Sequence, residues 1–278
     1  MERTEMVREL YGAINEDERL IRSRHGQLEY HVTMHYIHRF LQPGDRVLEI
    51  GAGTGRYSIV LAREGYPVSA VELVESNLET LKANAGDLSN LAAFQADALD
   101  LSRFGDDSFD VTLLFGPMYH LYTRADQDRA ILEAIRVTRP GGTILTAFLS
   151  AHAIICTNYL YRGLHAVDGL QLNFDEAYRV RHFPEQVFTG FDICEFESLF
   201  SDKQVEYITT VAADNVLEIA ERREDFAMTD ADFQAFADYQ LQICEKREML
   251  GNSSHLLYIC RKQGARAGRQ DNWKSRCR

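Results

Sequence analysis

The chain has 278 residues, 45% hydrophobic and 26% charged, enough to bury one large core or one core with an appended lobe. Thirty Lys and Arg against 42 Asp and Glu leave a formal charge of −12, a surface that repels a phosphate backbone and argues against nucleic acid as the main partner. The five cysteines (Cys156, Cys194, Cys244, Cys260, Cys277) form no CxxC pair, which suits buried thiols in a reducing compartment better than a disulfide frame or a zinc site. "MERTEMVREL" has no apolar signal region, and the stretch from Ile144 to Cys156 is too short for a span and contains His152. A cytoplasmic protein without a membrane segment is expected.

Residues 5–41 read as helices. Apolar groups recur at Met34, Ile37 and Leu41, with a flanking row at Val32, Tyr36 and Phe40. His31, His35 and His38 fall at i, i+4 and i+7, a spacing that can ligate zinc. No fourth ligand or HExxH pattern accompanies it, so a polar seam beside the core is the favoured reading and no metal is expected. "QPGD" then punctuates the chain, and a regular alternation begins. Arg46 to Ile50 reads as a buried strand, Gly55 to Glu64 as a helix ended by Gly65, Val68 to Val71 as a second strand, and Asn77 to Ala85 as a helix. "LAAFQA" and "FDVTLLF" (Phe109 to Phe115) are a third and a fourth strand. "RADQDRAILEAIRVT" has helical periodicity, Pro140-Gly141-Gly142 ends it, and "TILTAFLS" is a fifth strand. Such alternation implies a parallel sheet with right-handed crossovers.

The rhythm fails over 151–203, which is rich in aromatics (Tyr159, Tyr161, Phe174, Tyr178, Phe183, Phe188, Phe191). It returns with a strand at "VEYITTVAA", a helical stretch near Asp230 to Leu250 and a last strand at "HLLYICR". From Arg261 onward seven basic residues (Arg261, Lys262, Arg266, Arg269, Lys274, Arg276, Arg278) face Asp271 alone. That segment reads as a solvated, disordered tail, with a contact to an anionic partner as the alternative.

The most informative stretch is "RVLEIGAGTGRYSIVLAREG", residues 46–65. A strand running into glycines and then a helix makes a crevice at the carboxyl edge of a parallel sheet, where ligands bind. Backbone N–H groups at the helix start attract negative charge. A dinucleotide fingerprint, G-x-G-x-x-G, would place its third glycine at position 56, which is Arg56. Instead Glu49 precedes Gly51, Gly53 and Gly55.

This E-x-G-x-G-x-G pattern resembles motif I of the class I S-adenosylmethionine-dependent methyltransferases. Three neighbours support the resemblance: Glu72, 21 residues after Gly51; "QADALDL" after the third strand; and "RPGG" before the fifth. "LEY…TMHYI", "IGAGTGRYS", "LLFGPMYHL" and "GNSSHLLYI" together look like a set of bacterial small-molecule-type members, over roughly residues 10–262.

The resemblance implies an α/β, Rossmann-like fold with a mostly parallel seven-stranded sheet flanked by helices. N-terminal helices (1–45) and a lobe inserted after the fifth strand (151–203) would cap a core formed by 46–150 and 204–262, leaving 263–278 as the tail. It implies S-adenosylmethionine as cofactor and S-adenosylhomocysteine as product. Glu49 would set the site facing the ammonium group. Gly51, Ala52, Gly53 and Gly55 would pass the backbone close to the amino-acid moiety, and the backbone of Phe115 and Gly116 would complete that wall. Glu72, with Leu73 beside it, would accept from the ribose hydroxyls. Asp97 would accept from the adenine amino group, with the N–H of Ala98 at the ring. Arg19 or Thr33 could meet the methionine carboxylate.

Amino-group methylases acting on adenine or glutamine carry Asn-Pro-Pro-Tyr after the fourth strand. Here Phe115 replaces the Asn, and a lone Pro117 is followed by Met118, which argues for a small-molecule acceptor. Tyr119 and His120 come next. His120, with an ordinary pKa near 6.5, either takes a proton from the acceptor, hydrogen-bonds the cofactor's amino acid, or caps the strand end. Tyr119 is a pocket wall or an acid. An RNA or protein methyltransferase recruited through the basic tail, and a non-catalytic cofactor-binding module, are the rival readings. The oligomeric state is not legible.

Overall fold

The apolar run Val47–Ile50 is buried on both faces, as a central parallel strand must be. In the computed structural model, which describes residues 3–13, 16–159, 169–264 and 276, it is β1 of a seven-stranded sheet. The other strands are β2 (Val68–Glu72), β3 (Leu91–Gln95), β4 (Phe109–Leu114), β5 (Thr138–Leu149), β6 (Val205–Ala212) and β7 (His255–Lys262), in the order β3-β2-β1-β4-β5-β7-β6. The first five strands pair in parallel. β7 runs antiparallel to both β5 and β6, so the sheet is mixed.

Side-chain alternation divides the core between the two faces. Leu48, Ile50, Leu114, Ile144 and Phe148 pack with α5 (Arg124–Val137) and α8 (Ile193–Ser198). There the Phe148 and Phe196 rings stack with centroids 3.8 Å apart. Val47, Val111, Leu113 and Leu145 pack on the other face with α2 (Arg24–Phe40), α3 (Arg56–Arg63) and α10 (Asp230–Ile243). The helix α1 (Arg3–Ala13) precedes α2, and α4 (Glu75–Ala85) links β2 to β3.

Three boundaries differ from expectation. β5 begins at Thr138, so Pro140–Gly142 lies within the strand across a register shift opposite Phe109 and Val111. A Cβ on Gly142 would stand 2.7 Å from the Asp110 carbonyl; the chain bulges against β4 instead of turning before the strand. α4 starts earlier than Asn77. The predicted helix Asp230–Leu250 stops at Ile243 and resumes as α11 (Arg247–Leu250), because the Cys244 carbonyl turns to accept the Ala212 N–H at 2.9 Å and ties the helix end to β6.

Residues 151–203 carry short helices: α6 (Ala151–Ile154), a π-helical turn (Ile155–Tyr159), α7 (Gly169–Asn173) and α8. Phe174 and Phe191 are buried, whereas Tyr178 is exposed; Tyr161 lies outside the described residues. The helix α9 (Leu217–Glu221) follows β6.

Cys156, Cys244 and Cys260 are free thiols, but Cys194 is disulfide-bonded. The all-thiol expectation is corrected: spacing along a chain says nothing of which sulfurs folding brings together. Of the basic residues expected in a solvated tail, Arg261 and Lys262 instead belong to β7, where Lys262 meets Asp107 at 2.7 Å, and Arg276 pairs with the buried Glu197 at 3.2 Å and lies 3.7 Å over the Tyr207 ring. Cys277, Arg266, Arg269, Lys274 and Arg278 lie outside the described residues. Within the described residues, no helix is long and apolar enough to cross a membrane, and no three His, Cys, Asp or Glu are grouped to hold a metal. The histidine row lies on α2, where His38 meets Glu64 at 2.8 Å.

Candidate cofactor and acceptor cavity

The carboxyl ends of β1, β2, β4 and β5 open into one cavity of about 640 Å³. Its floor is set by close packing of two loops. Gly51 has φ +83°, and a Cβ there would stand 2.1 Å from the Phe115 carbonyl and 2.5 Å from Pro117. Only glycine lets the β1 loop lie against the β4 loop this way. The N–H groups of Gly51 and Ala52 both donate to the Val71 carbonyl, at 2.8 and 3.0 Å. That of Gly53 donates to Glu72 Oε2 at 2.8 Å, and that of Gly55 to the Ala52 carbonyl at 2.9 Å. These amides are held within the protein, so the expected outward attraction for negative charge does not arise at them. Gly55 does not line the cavity. It sits at φ +91° as the N-cap of α3, and a Cβ would meet Leu81 at 2.8 Å, so it serves helix packing.

What this edge offers instead is carboxyl oxygen. Glu49 is buried and accepts from the N–H of Ser58 at 2.9 Å and from its hydroxyl. Burial pushes Glu49 up to about 8, against the two Ser58 hydrogen bonds, so it is mostly protonated at neutral pH. Glu72 is likewise raised by burial. Its two oxygens take the N–H groups of Gly53 and Val74, each at 2.8 Å, leaving further lone pairs for incoming hydroxyls. Leu73 lies beside it in the lining. Asp97 Oδ1 accepts from Leu99 N–H at 3.0 Å, and its other oxygen is capped by Arg3 from α1. The N–H of Ala98 has no hydrogen bond among the described residues.

Beyond Phe115 and Gly116, a 3₁₀ turn (Pro117–His120) carries Tyr119 and His120 into the wall. His120 Nδ1 lies 2.7 Å from the Val187 carbonyl. A carbonyl only accepts, so Nδ1 carries the proton and Nε2 accepts from the Tyr11 hydroxyl at 3.1 Å. Burial pushes His120 down to about 4, which makes it a neutral ring and a weak base. Val187 itself sits at φ +60°, strained for a β-branched residue, with its carbonyl also taking the Tyr122 hydroxyl at 2.8 Å.

Thr33 is buried and lines the cavity. Arg19 is engaged: it forks onto Glu29 at 2.7 and 3.1 Å and donates to Glu16 at 2.8 Å, leaving two of its five N–H groups for a ligand.

Sequence reasoning missed what Arg19 belongs to. Glu16, Arg19, Glu29, His255 and Asp214 form an alternating ionic row, completed by His255 Nδ1 at 3.7 Å from Glu29 and 2.6 Å from Asp214. It runs from the glycine loop, where Glu16 is the neighbour of Gly53, to the start of β7. Burial opposes ionisation of Glu29, but Arg19 and His255 hold its carboxyl below the ordinary range. Burial likewise pulls His255 down, but Glu29 and Asp214 outweigh it and push the imidazole up to about 9. In the sequence the row shows as "LEY", which holds Glu29, and as "SSH" ahead of the last apolar run, polar residues where an antiparallel strand would enter the sheet at this edge.

Residues 48–146 match a family described as a methyltransferase domain. A demethylmenaquinone methyltransferase of Renibacterium salmoninarum is 34% identical over 155 residues, 52% of this chain and 62% of that protein. One of Mycobacterium tuberculosis is 33% identical over 162 residues, 54% of this chain and 65% of that protein. The chain thus spans less than two thirds of the length of these relatives. Among solved structures, a Haemonchus contortus phosphoethanolamine N-methyltransferase, in complex with phosphoethanolamine and S-adenosylhomocysteine, is similar at TM-score 0.60 and 15% identity, over 99% of this chain and 52% of that one. A Pyrococcus horikoshii protein is similar at TM-score 0.59 and 15% identity, over 92% and 99%. At that identity the likeness is one of fold.

Proposed function

We propose, on the premise that the chain carries a class I S-adenosylmethionine-dependent methyltransferase domain, that it moves a methyl group from S-adenosylmethionine to a small organic acceptor. The observation that carries this reading is the inversion at the glycine loop. Four of its amides are used internally, and two buried carboxyls, Glu49 and Glu72, border the cavity. Such an edge suits a ligand bringing an ammonium group and hydroxyls, not paired phosphates.

Glu49 would ionise against the ammonium, Glu72 would take the ribose hydroxyls, and Asp97 with the Ala98 N–H would hold the adenine once Arg3 moves aside. When bound, the cofactor supplies a methyl group already activated by its sulfonium. The chain's remaining tasks are alignment and exclusion of water. The Phe115–Gly116 turn, rigid against Gly51, would set the line of approach. His120, neutral and held at both nitrogens, would position Tyr11 over the site more readily than accept a proton. Residues 1–45 and 151–203 would form the cap over the 46–150 and 204–262 core; Val7, Tyr11, Ile154 and Phe188 from these segments line the cavity. A pocket of this volume lies within the ordinary small-molecule range. The acceptor named for the relatives, demethylmenaquinone, belongs to the same small-molecule class.

Incubation with methyl-labelled S-adenosylmethionine and a cell extract separated into small-molecule, RNA and protein fractions tests this. Label should enter the small-molecule fraction. Label confined to RNA or protein would overturn the acceptor class.

A further inference from the structure

The acceptor side of the cavity holds a site of its own, built where the sheet changes direction. Because β7 is antiparallel, its first residue reaches the edge at which β1 to β5 end; His255 pairs in register with Leu149 at the end of β5. β1 and β7 are three strand spacings apart, about 14 Å. This places His255 well beyond the glycine loop.

The ring is fixed from behind. Asp214, wholly buried, takes Nδ1–H at 2.6 Å and is itself held by the Ser253 hydroxyl at 2.5 Å. Glu29 reaches the same nitrogen from α2 at 3.7 Å, with each of its oxygens taken by the Arg19 fork. Glu218, the remaining acid in this part of the lining, is taken by Ser254 at 2.7 Å and Arg222 at 3.0 Å. The free end of the ring is different. His255 Nε2 has no hydrogen bond among the described residues, and neither has the hydroxyl of Tyr119, whose ring stands edge-on at 6.4 Å. Both residues line the cavity. Each carboxylate near this end is thus engaged by a donor, with Glu16, Glu29 and Asp214 facing Arg19 and His255, and the Nε2 end of the ring and the Tyr119 hydroxyl are what is left unpaired.

We infer that His255, with the Tyr119 hydroxyl beside it, is the acceptor-recognition site, and that the acceptor is a small organic anion presenting a carboxylate, phenolate or enolate oxygen to Nε2–H. This rests on the methyltransferase reading and adds the acceptor's charge to it. The ring is an imidazolium at neutral pH because Glu29 and Asp214 outweigh burial and the nearby Arg19, so the hydrogen bond it donates is charge-assisted.

The test uses the full chain saturated with S-adenosylhomocysteine and two matched pairs of probes: benzoate with benzamide, and salicylate with salicylamide. Each acid should bind about tenfold tighter than its amide at pH 7. In His255→Gln that preference should vanish while S-adenosylhomocysteine affinity holds. In the unmodified chain, acid affinity should fall about tenfold per pH unit above 9, as the imidazolium loses its proton. The pH series needs no variant, so it decides the matter even if His255→Gln does not fold. Equal binding of acids and amides, no binding of either acid, or a preference that survives His255→Gln would overturn the inference. Failure to bind S-adenosylhomocysteine would instead remove the underlying reading.

Discussion

The two halves of the cavity are built differently. Over β1 to β3, the wall is made by short contiguous motifs whose backbone does much of the work: Gly51 against Phe115, and Gly53 onto Glu72. Over β5 and β7 it is made by side chains of an ionic row, Arg19, Glu29 and His255, backed by the buried Asp214 and joined by charge. The first kind is rigid and suits a ligand common to a family. The second is assembled by the fold and can be altered residue by residue, as acceptor specificity requires.

The sharpest way to break the comparison is at the backbone. Gly51→Ala should destabilise the chain by about 3–4 kcal/mol and abolish S-adenosylhomocysteine binding, since its Cβ collides with main chain. Gly53→Ala, whose Cβ would find only Glu16 at 3.6 Å, should cost about 1–2 kcal/mol from φ alone. Thermal unfolding of both variants checks the pair; equal losses would deny the close-approach role of Gly51.

The ionic half should show itself in pH dependence. His255 rises from 6.5 to about 9 on folding, so its contribution to stability is complete below pH 6.5 and lost as pH rises through 9. Glu49, raised from 4.5 to about 8, adds loss in the same direction, complete by pH 8 to 9. Melting temperature should therefore fall between pH 6.5 and 9, and His255→Gln should flatten the upper part of that fall. An unchanged slope would mean the imidazole is not ionised. Smaller effects follow at the proposed adenine end. Asp97→Ala should weaken S-adenosylhomocysteine binding by about 1–2 kcal/mol. Arg3→Ala, which frees Asp97 from a partly exposed ion pair, should tighten it by less than about 1 kcal/mol. Calorimetry that gave both variants the same sign would contradict competition for Asp97.

The seven strands and the cavity's first half were legible because each rests on a local pattern: an apolar run, a glycine cluster, an acid at a strand end. The start of β5 was not, because a bulge let Pro140 to Gly142 join the strand. Gly51 was singled out for approach to a ligand; it lines the cavity, and its missing side chain also makes room for Phe115. Gly55 was assigned to the ligand and serves α3 packing. Glu29 and His255 stood inside quoted motifs, "LEY" and "GNSSHLLYI", but nothing in the sequence joined them to Asp214, since α2, the end of β6 and the start of β7 meet only in three dimensions. His120 stood out beside Tyr119, but its two hydrogen bonds come from Tyr11 and Val187, far away in the chain.

The most direct test of the cofactor site is calorimetry of S-adenosylhomocysteine binding at pH 7 in buffers of different ionisation enthalpy. Glu49 is mostly protonated in the free protein and, in the proposed role, would ionise against the ligand's ammonium group, so binding should release about one proton per ligand, a release that disappears above pH 9. Absence of binding, or binding with no proton released at pH 7, would contradict the account.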